Sequence, residues 1–143
     1  MRKKLNSCLL KLFLRYNKMA KDFIIKKSAI SGKGVFANKN FKKGEVVIKW
    51  SLDKILNKQE VDLLPIKEKQ YIVKQGKKYI LMQPPARYVN HSCNSNTVPK
   101  NNCDVAIRDI KEGEEITSNY FEENGIDEFV CNCKSKNCKK IIK

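Results

Sequence analysis

The sequence predicts a mainly β domain of short strands with one or two short helices. Runs of β-branched and aromatic residues recur along the chain, as at residues 23–25 and 45–50, and such residues favour strands. Turn signals that contain glycine lie between these two runs. The best helix candidate is residues 53–64, because Asp53 can cap its first turn and Pro65 ends it.

The remaining elements follow from the same local patterns. The predicted strands, in chain order, cover residues 23–25, 45–50, 71–73, 79–82, 104–110 and 115–120. The predicted turns between them lie at residues 31–34, 42–44 and 111–113 and around Gly76. The helix candidate would present an apolar face made of Ile55, Leu56, Leu63 and Leu64. Pro84 and Pro85 break the chain after the predicted hairpin around Gly76.

Length, composition and charge limit the class of protein. The chain has 143 residues, the size of one domain, and 41% of them are hydrophobic, enough for a core. Its formal net charge is +15, and the basic N-terminal half either binds nucleic acid or is a solvated lysine-rich surface. Residues 1–22 are expected to be a basic extension outside the core. With no transmembrane run and no secretory signal expected, we predict an intracellular protein with no membrane partner.

The segment from Gly32 to Ala37 fits the pattern G-x-G-x-x-A of dinucleotide-binding proteins. That fold needs a full helix directly after the glycines, and here the next predicted strand begins too soon. The glycines are therefore either an ordinary turn or a place where the backbone bends and approaches another group closely.

The segment Asn90-His91-Ser92-Cys93 is the densest polar cluster and has three interpretations. His91 and Cys93 would share one face of an extended segment and could form a nucleophile pair, but no partner that orients the histidine is evident. His91 could instead bind a metal, or be a buried polar residue.

The C-terminal cysteines have the spacing C-x-C-x4-C, formed by Cys131, Cys133 and Cys138. Structural zinc takes four tetrahedral ligands, commonly sulfur, so a fourth ligand must come from elsewhere. Cys93 is the natural donor, and the alternatives are Cys8, Cys103 and His91. Without a secretory signal, zinc is a better interpretation of these cysteines than disulfides.

Taken together and in order, four segments resemble the SET-domain family of protein-lysine methyltransferases. They are Gly32-Lys33-Gly34-Val35-Phe36, Ala86-Arg87-Tyr88-Val89-Asn90-His91-Ser92-Cys93-Asn94-Ser95-Asn96, residues 109–120 with the sequence DIKEGEEITSNY, and the cysteine-rich tail. The tail is similar to the post-SET motif of trithorax-type members. The resemblance implies a β-clip fold of several small curved sheets with a C-terminal pseudoknot. It divides the chain into a SET domain at residues 23–121 and a post-SET zinc-binding tail at residues 122–143.

The resemblance also implies a function and a role for each matching residue. It implies transfer of a methyl group from S-adenosylmethionine to a lysine in a basic, perhaps histone-like, protein segment, with one structural zinc. The implied cofactor-binding residues are Ser31, Gly32, Lys33, Gly34, Tyr71, Asn90, His91 and Asn132. The implied catalytic residues are Tyr120 and Tyr71, and the implied zinc ligands are Cys93, Cys131, Cys133 and Cys138.

Some residues depart from the family pattern. Ser95 stands where proline is usual, Asn119 replaces an aspartate, and Ser118 occupies a position where many members carry an aromatic residue. Asn119, Ser118 and the net charge of +15 leave a non-catalytic SET-fold module, which binds nucleic acid or a basic protein, as the alternative function. The acid-rich stretch at residues 109–128 either attracts a basic substrate or consists of turn and surface residues.

Overall fold

The computed structural model describes residues 22–120 and 128–142. The predicted extension therefore lies outside the described residues except for Asp22. Cys8 also lies outside them, as do Glu122, Glu123 and Asp127 of the acid-rich stretch. Within the described ranges, no helix has the length and apolar character needed to cross a membrane.

The described residues form short strands with little helix, as the sequence predicts. The strands are β1 (Phe23–Lys27), β2 (Lys33–Ala37), β3 (Val46–Lys49), β4 (Ile55–Leu56), β5 (Ile72–Gln75), β6 (Lys78–Leu81), β7 (Asn90–His91), β8 (Thr97–Lys100), β9 (Cys103–Ala106), β10 (Glu115–Ser118), β11 (Phe129–Val130) and β12 (Ile141–Ile142). The helices are α1 (Lys58–Asp62), α2 (Ile66–Lys69) and a 3-10 turn at Ala86–Tyr88.

The largest sheet carries its strands in the order β1-β2-β10-β8-β9-β3, and β7 also pairs with β10. β1 and β2 form an antiparallel hairpin, whereas β10 pairs in parallel with β7 and β8. Three apolar residues of this sheet are fully buried, with Val35, Ile48 and Ile116 at 0% exposure. β10 is thus a central strand although its neighbours come much earlier in the chain.

The predicted helix at residues 53–64 is wrong in its N-terminal half. Ile55 and Leu56 form β4, which pairs with Ile80 and Tyr79 of β6 in the sheet β4-β6-β5. The helix α1 begins only after Asn57, whose side chain accepts a hydrogen bond from the Glu60 N–H at 3.0 Å. The Glu60 carboxylate accepts the Asn57 N–H at 2.7 Å in return, and this reciprocal cap fixes the start of the helix.

Other boundaries are closer to the sequence-based expectation. The hairpin of β5 and β6 turns at Gly76, whose φ of +58° suits glycine. The predicted strand at residues 104–110 is shorter, because β9 ends at Ala106. Beyond it, Asp109 turns outward and binds the Lys42 ammonium at 2.8 Å.

The strand β10, which precedes Tyr120, pairs in parallel with the chain at Asn90, His91 and Thr97. Asn96 is 1% exposed, donates to the Glu115 carbonyl at 2.8 Å and accepts the Thr117 N–H at 2.9 Å. Because these are buried hydrogen bonds to backbone groups, loss of Asn96 would leave β10 with unpaired polar atoms.

Candidate active site

A cavity of about 850 Å³ brings most of the sequence-predicted site residues together. Its walls include Ser31, Gly32, Lys33, Tyr71, Asn90, His91, Tyr120 and Asn132. Cys131 also reaches this wall, so the cysteine-rich tail adjoins the cavity. The volume lies in the range that drug-sized ligands and cofactors occupy.

Gly34 does not line the cavity but lies against Glu115 of β10. A Cβ at position 34 would overlap the Glu115 carboxylate and touch the Ser28 side chain. The Ser28 hydroxyl donates to the same carboxylate at 2.7 Å. The second glycine of the motif therefore leaves room for a close approach of Glu115, which was one of the two interpretations of the sequence.

Asn90 completes the support of the glycine loop. Its amide nitrogen lies within hydrogen-bonding distance of the Ser31 and Lys33 carbonyl oxygens, both at 3.1 Å, and of the Glu115 carboxylate at 2.9 Å. Since the nitrogen is the donating atom of the amide, its oxygen remains available as an acceptor. Glu115 was missed by the sequence analysis because a lone glutamate in a turn-strand segment gives no signal of a buried partner.

Tyr120 is held at both its backbone and its side chain. Its hydroxyl donates to the Val89 carbonyl, and its backbone N–H donates to His91 Nδ1 at 3.1 Å. Its ring lies 6.0 Å from that of Phe129, which belongs to the tail. Tyr120 therefore has a fixed position in the cavity wall.

Tyr71 carries a stacked cation that sequence analysis did not assign to the site. The Arg87 guanidinium lies 3.9 Å from the centre of the Tyr71 ring and binds the Glu68 carboxylate at 3.1 Å. Stacking of a guanidinium on a tyrosine is favourable and fixes both groups. Arg87 belongs to the second SET-like motif of the sequence, but nothing in the sequence shows which aromatic ring its guanidinium contacts.

Two buried polar atoms around the cavity have no hydrogen-bond partner within the described part of the chain. They are Arg87 Nε and Ser118 Oγ, and Ser118 is only 2% exposed. An unpaired buried donor is costly, and a polar ligand would satisfy it. A ligand with both polar and apolar parts, such as S-adenosylmethionine, fits this lining.

The four predicted zinc ligands converge. The Sγ atoms of Cys93, Cys131, Cys133 and Cys138 all lie within 4.8 Å of one another, and those of Cys93 and Cys131 are 3.9 Å apart. A tetrahedral zinc with bonds of about 2.3 Å holds its sulfurs about 3.8 Å apart. The donor set and its spacing therefore fit zinc, whereas Cys103 lies outside the cluster.

The acidities of these thiols differ in the absence of a cation. Burial raises the pKa of Cys131 to about 12. Burial also opposes ionisation of Cys133, but hydrogen bonds with Ser135 outweigh it and lower the pKa of that thiol to about 5. A bound cation would stabilise all four thiolates together, which is the protonation state that a zinc site requires.

The protonation of His91 follows from its surroundings. Burial, together with the nearby Lys139 charge, lowers the pKa of His91 to about 4. Its imidazole is therefore neutral at pH 7. Its side chain contacts Cys93, Tyr120 and Phe129, so it lies between the cavity and the cysteine cluster. A nucleophile pair of His91 and Cys93 is not supported, because Cys93 is one of the four clustered sulfurs.

A sequence model of the SET domain matches residues 32–121 of this chain. Over 145 residues, the chain is 32% identical to the variant-silencing SET domain-containing protein of Plasmodium falciparum. The alignment covers 82% of this chain and 6% of that protein. It is 29% identical to human histone-lysine N-methyltransferase 2B over 91% of this chain and 6% of that enzyme. The chain thus spans a small part of the curated relatives it matches.

Solved structures agree with the fold. An active polycomb repressive complex 2 in its basal state superposes with a TM-score of 0.61 at 28% identity, covering 71% of this chain and 15% of that one. A second structure, ctPRC2 in an autoinhibited conformation bound to S-adenosylmethionine, has a TM-score of 0.59 at 27% identity over 71% of this chain and 15% of that one.

Proposed function

This chain belongs to the SET-domain family, and we propose that it transfers a methyl group from S-adenosylmethionine to a lysine side chain of a protein. The observation that carries the proposal is that one cavity joins the glycine loop, Asn90 and Tyr120. The relatives named as histone-lysine methyltransferases support the same reaction.

The chain's residues would bind the cofactor mainly through the glycine loop. Ser31, Gly32 and Lys33 line the cavity, and Gly34 places the loop against Glu115. The Asn90 amide oxygen can accept a hydrogen bond from the cofactor's amino group, because the amide nitrogen already faces the loop carbonyls. His91 would contribute through its backbone, since both of its ring nitrogens contact the protein.

Tyr120 would orient the attacking amine. When bound, S-adenosylmethionine would supply the electrophilic methyl group that this amine attacks. The Tyr120 hydroxyl donates to the Val89 carbonyl, so its oxygen keeps lone pairs that can accept an N–H of the substrate lysine. Fixed alignment of the reacting atoms is a large source of rate in such displacements.

The substrate lysine must lose a proton before it can attack. Its free pKa near 10.4 makes deprotonation at neutral pH cost about 4–5 kcal/mol. A cavity with apolar walls disfavours the charged ammonium and lowers this cost. Tyr71 contributes an aromatic wall, and the stacked Arg87 holds that ring in place. The Arg87 charge also opposes a second cation nearby.

The zinc would act as a structural ion that holds the tail against the cavity. Cys93 belongs to the SET motif, whereas Cys131, Cys133 and Cys138 belong to the tail. Shared ligation would therefore hold Phe129 and Asn132 at the cavity that Tyr120 lines.

The decisive experiment is transfer of radiolabelled methyl from S-adenosylmethionine to a panel of basic proteins that includes histones. Labelling by the wild type that disappears in Tyr120→Phe establishes the activity and indicates the substrate class. Absence of both labelling and cofactor binding would contradict the proposal and favour the nucleic-acid-binding module.

A further inference from the structure

His91 lies between the cysteine cluster and Tyr120 and contacts both. Its Nδ1 accepts the Tyr120 backbone N–H at 3.1 Å, and its Nε2 lies 3.4 Å from Cys93 Sγ. The residue is 3% exposed, so water competes little for either nitrogen. The two contacts use the two different nitrogens of one rigid ring.

The geometry determines which nitrogen carries the proton. A backbone N–H can only donate, so Nδ1 must be the acceptor and cannot be protonated. In a neutral imidazole the proton then lies on Nε2, which faces the Cys93 sulfur. The contact with Cys93 is therefore an N–H donated towards sulfur, which is the arrangement that stabilises a thiolate.

Cys93 receives further support from the tail. The Lys139 backbone N–H donates to the same sulfur at 3.4 Å, and the Asn137 amide donates to the Cys93 carbonyl at 3.1 Å. Partners that donate to a metal ligand commonly change metal affinity by about 10- to 100-fold when they are removed.

The His91 ring also packs within an aromatic cluster. Its centre lies 5.3 Å from the Tyr120 ring and 5.5 Å from the Phe129 ring. Phe129 comes from β11 of the tail. A shift of the tail would therefore move His91 and, through it, the backbone of Tyr120.

We infer that His91 is a positioning residue that links the metal centre to Tyr120, with Nε2 directed at the Cys93 ligand and Nδ1 holding the Tyr120 backbone. Metal binding would then stabilise the position of Tyr120, and an ordered Tyr120 segment would strengthen metal binding in return. The role of Tyr120 in catalysis rests on the proposed function, but the link itself does not.

The first test needs no substitution. His91 is the chain's one histidine, so nitrogen NMR of the ring in the zinc-loaded protein reports it without ambiguity. A proton on Nε2 at neutral pH is expected, and a proton on Nδ1 would overturn the inference. Exchange of the Tyr120 amide proton should become at least about tenfold faster when zinc is removed, while that of the Thr117 amide, bound to Asn96, should change less. Equal changes at the two amides would also overturn the inference.

Two substitutions separate the two contacts. In His91→Asn the amide oxygen takes the place of Nδ1, so the Tyr120 contact survives and the donor to Cys93 is lost. In His91→Gln the amide nitrogen takes the place of Nε2, so the opposite contact survives. Zinc affinity, measured by chelator competition, should fall about 10- to 100-fold in His91→Asn and less in His91→Gln. Tyr120 amide exchange in the zinc-loaded protein should speed up mainly in His91→Gln.

The outcomes distinguish this inference from the proposed function. Equal zinc affinity and equal Tyr120 exchange in the two variants would overturn the link whether or not the wild type transfers methyl groups. A wild type with the expected ring proton and zinc-dependent exchange, but with no methyl transfer, would retain the link and contradict the function. If neither variant folds, the position of the ring proton and the exchange of the Tyr120 amide in the wild type still test the link.

Discussion

The Glu115 carboxylate fills the volume that a side chain at position 34 would need, so it packs directly against Gly34. The same carboxylate accepts hydrogen bonds from Ser28 and Asn90. A single contact between β2 and β10 thus fixes both the glycine loop and the amide that supports it.

Gly34→Ala should weaken cofactor binding by about tenfold or more, because the methyl group would displace Glu115 and release the loop. Calorimetric titration with S-adenosylmethionine measures the effect. Gly76→Ala is the matched control, since Gly76 has a positive φ and open space around its Cβ position. It should lower stability by about 1 kcal/mol and leave cofactor affinity unchanged. Equal affinities in the two variants would show that the Glu115 contact does not support the loop.

Tyr120→Phe should lower kcat for methyl transfer by about 100-fold or more, because the hydroxyl that would orient the amine is lost. Cofactor affinity and zinc content should remain close to those of the wild type, since neither depends on the hydroxyl. Single-turnover transfer to a basic protein substrate measures the rate of methyl transfer. Calorimetric titration measures cofactor affinity, and elemental analysis measures zinc content. Near-normal turnover would exclude Tyr120 from catalysis.

Cys93→Ser should lower the zinc content from one ion per chain and reduce thermal stability, because a structural zinc site loses one of its four ligands. Cys103→Ser provides the control, since Cys103 has a thiol of the same chemistry outside the cluster. It should retain the metal. Loss of zinc in both variants, measured by elemental analysis, would contradict the assignment of the ligands.

Asp104→Asn should change how stability depends on pH. Burial raises the pKa of Asp104 to about 6, although its hydrogen bond from Trp50 opposes the shift. Between the ordinary value near 4 and about 6, the unfolded chain is ionised while the folded chain keeps its proton, so stability falls as pH rises. Above that window the cost is constant, at about 2–3 kcal/mol.

The asparagine variant lacks this cost and keeps an acceptor for the Trp50 N–H, which lies 2.8 Å from the Asp104 carboxylate. It should therefore be more stable than the wild type near pH 7, and the difference should shrink towards about pH 4. Urea unfolding of both proteins across this range measures it. Because both proteins share all other titrating groups, the contributions of those groups cancel in the difference between the two free energies of unfolding. A difference that does not change with pH would refute the raised pKa of Asp104.

The sequence predicted the class of fold, and its resemblance to the SET-domain family singled out most of the residues that the structure brings to one cavity. The positions of Cys93 and of the three tail cysteines predicted a cluster that the structure brings together. The hairpin at Gly76 followed from local turn chemistry.

Sequence reasoning failed where distant contacts decide the outcome. Ile55 and Leu56 have a helical spacing with Leu63 and Leu64, but pairing with β6 makes them a strand. Local propensity is a weak guide when a neighbouring strand offers hydrogen bonds. Glu115 and Arg87 were missed for a related reason, because their partners lie 87 and 19 residues away, respectively.

The central place of β10 has a consequence for biosynthesis. During translation β2, β7 and β8 leave the ribosome before β10, the strand that pairs with all three. Until β10 is made, these strands have unpaired edges. Pairings across such long sequence separations form slowly, and exposed edges invite aggregation or binding by chaperones. Tyr120, the proposed catalytic residue, lies two residues after β10, so we expect it to reach its position only when β10 joins the sheet.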